Sequence, residues 1–269
     1  MNAPMLTSRV ARCAPIRRPF MGLTMMEPLR FAAEAMTTTL TWPLLATAPR
    51  GDGHTVMVLP GFATSDAMTV LLRWYLASLG YDVHGWELGW NMDQHAAGEN
   101  GEHVARRIAD LAALSGKRVS LVGWSLGGVI AREAARRDPN RPDGGALRQV
   151  IALGAPFTGD PSATSLSTAY EWMTGNSVSS DDTRARYAEG HLPLPVPSSA
   201  IFSRTDGITA WQNCVSETDA RTEVIEVHAS HFGMVSNPAV LWAVADRLAQ
   251  AEGEWAPFAN RGPFAALFP

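Results

Sequence analysis

Gly123-Trp124-Ser125-Leu126-Gly127 stands between two segments of different period. Before it runs Val119-Ser120-Leu121-Val122, a short apolar stretch that reads as a buried strand. After it, Leu126 to Arg137 reads as a helix. Strand, G-x-S-x-G, helix is the context of a nucleophile elbow, a serine displayed on a sharp strand-to-helix turn. Such a turn brings backbone segments close together, so its flanks need residues without side chains, and Gly123 and Gly127 supply them. The helix behind aims its N-terminus at the site and favours negative charge developing there. An ordinary glycine-rich turn is the competing reading, and the flanking strand and helix weigh against it.

The same alternation extends in both directions. Thr55-Val56-Met57-Val58-Leu59 is a short strand stopped by Pro60-Gly61. Asp66 to Leu79 is an amphipathic helix ended by Gly80, and Tyr81 to Trp86 is the next strand. Glu102 to Ser115 is helical, with Val104, Ile108 and Leu111 in register. Strands return at Gln149 to Leu153, Ser199 to Ser203 and Glu223 to Val227. The last helix takes Asn237 as cap and Pro238 at its first position, and buries Val240, Leu241, Val244 and Leu248. Strands alternating with helices at this rhythm predict an α/β domain with a parallel sheet and helices on both faces. Upstream, Leu29, Ala32, Ala33, Met36 and Leu40 recur at helical spacing behind Pro28, which predicts a helix over 28–46 packing on the main body. Residues 157–196 lose the alternation. They hold two short helical candidates, Leu166 to Met173 and Asp182 to Glu189, then a proline-rich end, as a lid or binding insertion would. The chain thus divides into a basic, disordered arm over 1–27, a domain over 28–252, and a tail over 253–269 whose Trp255, Phe258, Phe264 and Phe268 are expected to pack against their own body.

Composition narrows the classes. The chain has 269 residues, 46% of them hydrophobic and 18% charged, with a net charge of −4. That balance argues against a nucleic-acid surface. No apolar run approaches the roughly 20 residues of a membrane helix. Cys13 and Cys214 do not make a disulfide framework. There is no metal-spaced Cys/His cluster and no phosphate loop, so no metal and no cofactor is expected. Arg17-Arg18-Pro19-Phe20 has some likeness to a twin-arginine export signal. The run behind it, Met21 to Met26, is short and is closed by Glu27 and Arg30, so the sequence favours a cytoplasmic protein.

A serine hydroxyl is a poor nucleophile until a base takes its proton, and a carboxylate should hold that base in the right tautomer. In a parallel sheet such groups sit at the carboxyl ends of strands. His54, His84, His95, His103 and His191 fall elsewhere. His228 and His231 both follow the strand ending at Val227, and His231 lies further out in the loop, where reaching Ser125 is easier. Asp206 follows the strand through Phe202, although Asp206-Gly207 also reads as a turn. Asp219 precedes a strand, and Asp160 lies within turn chemistry. The favoured set is Ser125, Asp206 and His231. An oxyanion hole needs two backbone donors. The amide of Leu126 supplies one and that of Phe62, after Pro60-Gly61, the other. Trp124, Phe62, Trp172 and Met173 are candidates to line an apolar acyl pocket, or else to pack in core and cap.

Leu59-Pro60-Gly61-Phe62, Gly123-Trp124-Ser125-Leu126-Gly127-Gly128, Arg204-Thr205-Asp206-Gly207 and Ser230-His231-Phe232-Gly233 follow one another in the order of the α/β-hydrolase superfamily. The chain resembles its bacterial lipase- and esterase-like members from about Val56 to Gln250. The resemblance implies a Ser-Asp-His triad, a cap at residues 157–196, and cleavage of a small-molecule carboxylic ester with an apolar acyl group through an acyl-enzyme. An acyltransferase, thioesterase or amidase on the same residues, or a non-catalytic ligand-binding member, are the alternatives. Two departures stand out. Many members have His-Gly where this chain has Pro60-Gly61. The N-terminal antiparallel strands are not evident, and a helix stands in their place, which predicts a sheet of about six strands.

Overall fold

The computed structural model describes residues 15–92, 94–138, 145–175, 177 and 180–269. Six strands form one sheet: β1 (Thr55–Leu59), β2 (Asp82–Gly85), β3 (Val119–Trp124), β4 (Leu147–Leu153), β5 (Ser198–Phe202) and β6 (Thr222–Glu226). Their order is β2-β1-β3-β4-β5-β6, and every neighbouring pair is parallel. Strands β1, β3, β4 and β5 are buried along their whole length, as strands covered by helices on both faces are.

Helices cover both faces: α1 (Met21–Leu40), α2 (Trp42–Leu45), α3 (Val70–Ser78), α4 (Gln94–Ala97), α5 (Glu102–Ser115), α6 (Leu126–Arg137), α7 (Ser167–Thr174), α8 (Asp181–Gly190) and α9 (Pro238–Leu248). One core layer packs α3 and α9 against Val56, Val58, Val122 and Ile151. The other packs α5 and α6 against Met57, Leu59, Leu121 and Val150. Side chains alternate across a strand, so each strand feeds both layers. The Asn237 side chain caps α9 by accepting from the amides of Ala239 and Val240, with Pro238 at the first position. The predicted helix over Asp66 to Leu79 is divided, a 3-10 turn at Asp66–Thr69 leading into α3. In the C-terminal segment, Phe264 and Phe268 are buried in the first core layer.

Helix α1 departs from expectation twice. It starts at Met21, not at Pro28, which sits inside the helix. Proline fixes φ at a helical value, so the same residue fits a first position or, at the cost of one hydrogen bond, an interior one. The apolar stripe expected to face the body faces outward instead: Leu29, Met36 and Leu40 are 62%, 67% and 78% exposed. The opposite edge does the packing, and it is polar. Glu27 and Thr38 are buried there. No described helix is long and apolar enough to cross a membrane. Cys13 lies outside the described residues, and Cys214 is buried.

Candidate active site

Ser125 connects β3 to α6 with φ 54° and ψ −122°, a conformation a side-chain-bearing residue adopts only under constraint. The constraint is visible on both flanks. A Cβ on Gly123 would overlap the backbone of Gly127 and Gly128, and a Cβ on Gly127 would overlap the carbonyl oxygens of Leu59 and Pro60. The Ser125 amide donates to the Leu153 carbonyl on β4 at 2.9 Å, which fixes the turn to the centre of the sheet.

The three residues favoured from the sequence come together at the carboxyl ends of β3, β5 and β6. His231 Nε2 lies 3.0 Å from Ser125 Oγ, and His231 Nδ1 lies 2.7 Å from Asp206 Oδ2. Asp206 Oδ1 accepts from the amides of Ile208 and Thr209 at 2.8 and 2.7 Å. Both side chains are nearly closed to solvent, Asp206 at 3% and His231 at 1% exposure. Burial alone would lower the imidazole pKa. The Asp206 carboxylate and its hydrogen bond, with a further contribution from Glu27, more than offset that, and His231 ends above its ordinary value. The rivals are elsewhere. His228 is exposed. Asp160 Oδ1 accepts from Ser162 in a turn. Asp219 is exposed and accepts from the Arg221 amide.

Leu126 opens α6, so its amide has no carbonyl one turn back to bond. Gly61, next to Phe62, approaches the elbow so closely that a Cβ there would stand 3.2 Å from Ser125 Cβ. Phe62, Ser125 and Leu126 line the same cavity.

A cavity of about 280 Å³ opens from Ser125 and is mostly apolar. Phe62, Leu126 and Val129 line it near the serine, with Tyr170 above, and it runs along α5 and α6 past Ile130 and Ala134. The Phe62 and Tyr170 rings lie 5.1 Å apart. Of the pocket residues proposed from the sequence, Phe62 lines the cavity, and Trp124, Trp172 and Met173 do not. Trp124 is buried behind the site, where its Nε1 donates to the His231 carbonyl at 2.9 Å. Trp172 is 87% exposed and Met173 44%. A helix turns about 100° per residue, so with Tyr170 facing the cavity Trp172 points away from it.

Reasoning from the sequence missed the contribution of α1. Glu27 Oε1 accepts from the amides of Gly207 and His231 at 2.9 and 3.0 Å, and its Oε2 from that of Phe232 at 3.0 Å. Arg30 donates to the Thr205 carbonyl and hydroxyl. Glu34 accepts from the Ser230 amide and hydroxyl at 2.8 and 3.0 Å. Thr38 donates to the Ser236 carbonyl. The signal available was the 3-4-4 spacing of residues 27, 30, 34 and 38, which reads as a solvated face when the partners are unknown.

This architecture is the α/β-hydrolase fold, and solved structures share it. Aspergillus fumigatus lipase B aligns with a TM-score of 0.57 at 20% identity over 78% of this chain and 55% of that one. A Paleococcus ferrophilus monoacylglycerol lipase aligns at 0.54 and 14% identity over 75% of this chain and 96% of that one. The mature Bacillus licheniformis lipase BlEst2 aligns at 0.51 and 16% identity over 76% and 93%. The chain thus matches about half the length of the Aspergillus lipase and nearly all of the other two. No protein-family model and no curated protein matches the sequence.

Proposed function

We propose that the protein is a serine hydrolase that cleaves carboxylic esters through an acyl-enzyme. The observation that carries this reading is the unbroken hydrogen-bond path from Asp206 through His231 to Ser125 Oγ. On this reading His231 Nε2 takes the hydroxyl proton as Ser125 Oγ attacks the ester carbonyl carbon. The carbonyl π pair moves onto oxygen, and the amides of Phe62 and Leu126 receive the oxyanion. The tetrahedral intermediate collapses, the alkoxide leaves with the proton held by His231, and the acyl group stays on Ser125. Water, deprotonated by the same imidazole, then releases the carboxylic acid. Asp206 steadies the imidazolium in both halves. The apolar cavity supports an apolar acyl group, and the lipases among the structural neighbours support ester substrates.

The experiment is turnover of p-nitrophenyl esters by Ser125→Ala beside the unaltered chain. A loss of several orders of magnitude with an unchanged melting temperature is expected. Near-normal turnover in that variant would defeat the reading. Adding a competing alcohol or amine and analysing the products separates hydrolysis from acyl transfer.

A further inference from the structure

The carboxylate of Glu27 is fully buried, and its two oxygens take three amide hydrogens. Those amides come from the two loops that carry the proposed acid and base, one from Gly207 beside Asp206 and two from His231 and Phe232. A single group on α1 therefore ties together loops that leave different strands. The glycines of both loops fit this arrangement. A Cβ on Gly207 would stand 2.6 Å from the Leu23 carbonyl and 2.8 Å from Glu27 Oε1. A Cβ on Gly233 would overlap the Glu34 carboxylate. Each loop lacks a side chain where α1 presses against it, so the helix is part of the site's construction.

The geometry points to Glu27 as a positioning residue that sets both the orientation of His231 and its affinity for a proton. The inference rests on the reading of His231 as the base. Held by three amides, the carboxylate cannot turn away when the imidazole becomes charged, and an anion fixed behind an imidazolium stabilises it. The charged groups around His231 are Asp206 at Nδ1 and Glu27 behind the backbone. Arg30 lies 3.6 Å from Glu27 and Glu34 is bonded to Ser230. Arg30 is partly exposed, so its opposing charge is screened by water. The charge of Glu27 and its grip on the loops are separable in part. Glutamine keeps the length and can keep the Gly207 and His231 amides on its oxygen, but it loses the charge and turns an NH2 toward the Phe232 N–H; aspartate keeps the charge and both acceptors and shortens the reach.

The test is a pair of pH titrations on Glu27→Gln and Glu27→Asp beside the unaltered chain. One follows the His231 imidazole by proton NMR, and the other follows kcat/KM for a p-nitrophenyl ester. In Glu27→Gln the imidazole and the acid limb of kcat/KM should both move about one pH unit lower. Its kcat should fall about ten- to a hundredfold, with KM little changed. Glu27→Asp should return the titration toward its original position. An unshifted titration in Glu27→Gln overturns the proposal even if activity falls, and so does collapse of the fold in both variants, which makes the carboxylate structural only. The NMR titration needs no turnover, so it still reads Glu27 if Ser125→Ala shows the ester reading to be wrong.

Discussion

Trp124, the residue before the elbow serine, donates its indole N–H to the carbonyl of His231, 107 residues later. The strand that displays Ser125 thus also holds the backbone of the residue that faces it. The contact is buried, so the indole stands in for a water the carbonyl would otherwise bind. Trp124→Phe keeps one aromatic ring, removes the pyrrole half of the buried indole, and leaves that carbonyl without its donor. A loss of about 1–3 kcal/mol in unfolding free energy is expected, with a larger fall in kcat than rise in KM. Denaturant unfolding and steady-state kinetics check both, and an unchanged kcat would show that the bond does not orient His231.

Asp206→Asn has a predictable geometry. The amides of Ile208 and Thr209 both donate to Oδ1, so that position must remain an oxygen. The amide nitrogen then replaces Oδ2 and presents hydrogens to His231 Nδ1. The imidazole must accept there, which puts its own proton on Nε2, facing Ser125 Oγ. In that tautomer it cannot serve as a base. A fall in kcat of about four orders of magnitude is expected with little change in melting temperature. A loss below tenfold would mean that the proton leaves Ser125 by another route.

The raised pKa of His231 gives two opposite pH dependences. Activity needs the neutral imidazole, so kcat/KM should rise with pH through a midpoint above 6.5. Stability runs the other way. A histidine that binds its proton more tightly when folded contributes stability that is fully present below the unfolded value of about 6.5, and this is lost as pH rises through the folded value. His54 opposes it. Burial holds that imidazole below 6.5, so the fold loses stability as pH falls and the unfolded chain takes up the proton. Comparing unfolding midpoints of the unaltered chain and His231→Gln between pH 6 and pH 9 isolates the first effect. The difference between the two proteins should narrow as pH rises; a constant difference would contradict the coupling to Asp206.

What the sequence discloses follows the range of the interactions involved. Helix α5 runs from Glu102 to Ser115 in the structure as its apolar period predicts, because that period is local. The elbow is legible because Gly123, Ser125 and Gly127 stand within five residues, although the close approach that demands Gly127 comes from the carbonyls of Leu59 and Pro60. Asp206 and His231 are found by a topological rule about strand ends, which requires only the order of the strands. Helix α1 escapes this reasoning. Glu27 meets its partners 180, 204 and 205 residues away, and nothing near it in the chain announces them. The period of its apolar residues is real, yet the packing is done by polar groups on the other edge. Trp172 shows a related limit, since choosing between it and Tyr170 depends on the rotation of α7, which a short helix with scattered aromatics does not fix.

The cavity allows a prediction about chain length. Its volume of about 280 Å³ and its course along α6 leave room for an acyl chain of medium length. Each methylene buried there contributes up to about 0.8 kcal/mol, close to fourfold in kcat/KM where the contact persists in the transition state. For p-nitrophenyl esters of graded length, kcat/KM should climb from acetate and level off at medium chain length. Ala134 lines the channel nine residues past Ser125 on α6, about 13 Å along the helix axis at 1.5 Å per residue. Ala134→Phe places a ring across the channel at that depth, so the plateau should move to shorter chains by about two carbons or more. The same plateau in the variant would mean that the acyl chain leaves Ser125 in another direction, toward Tyr170 on α7.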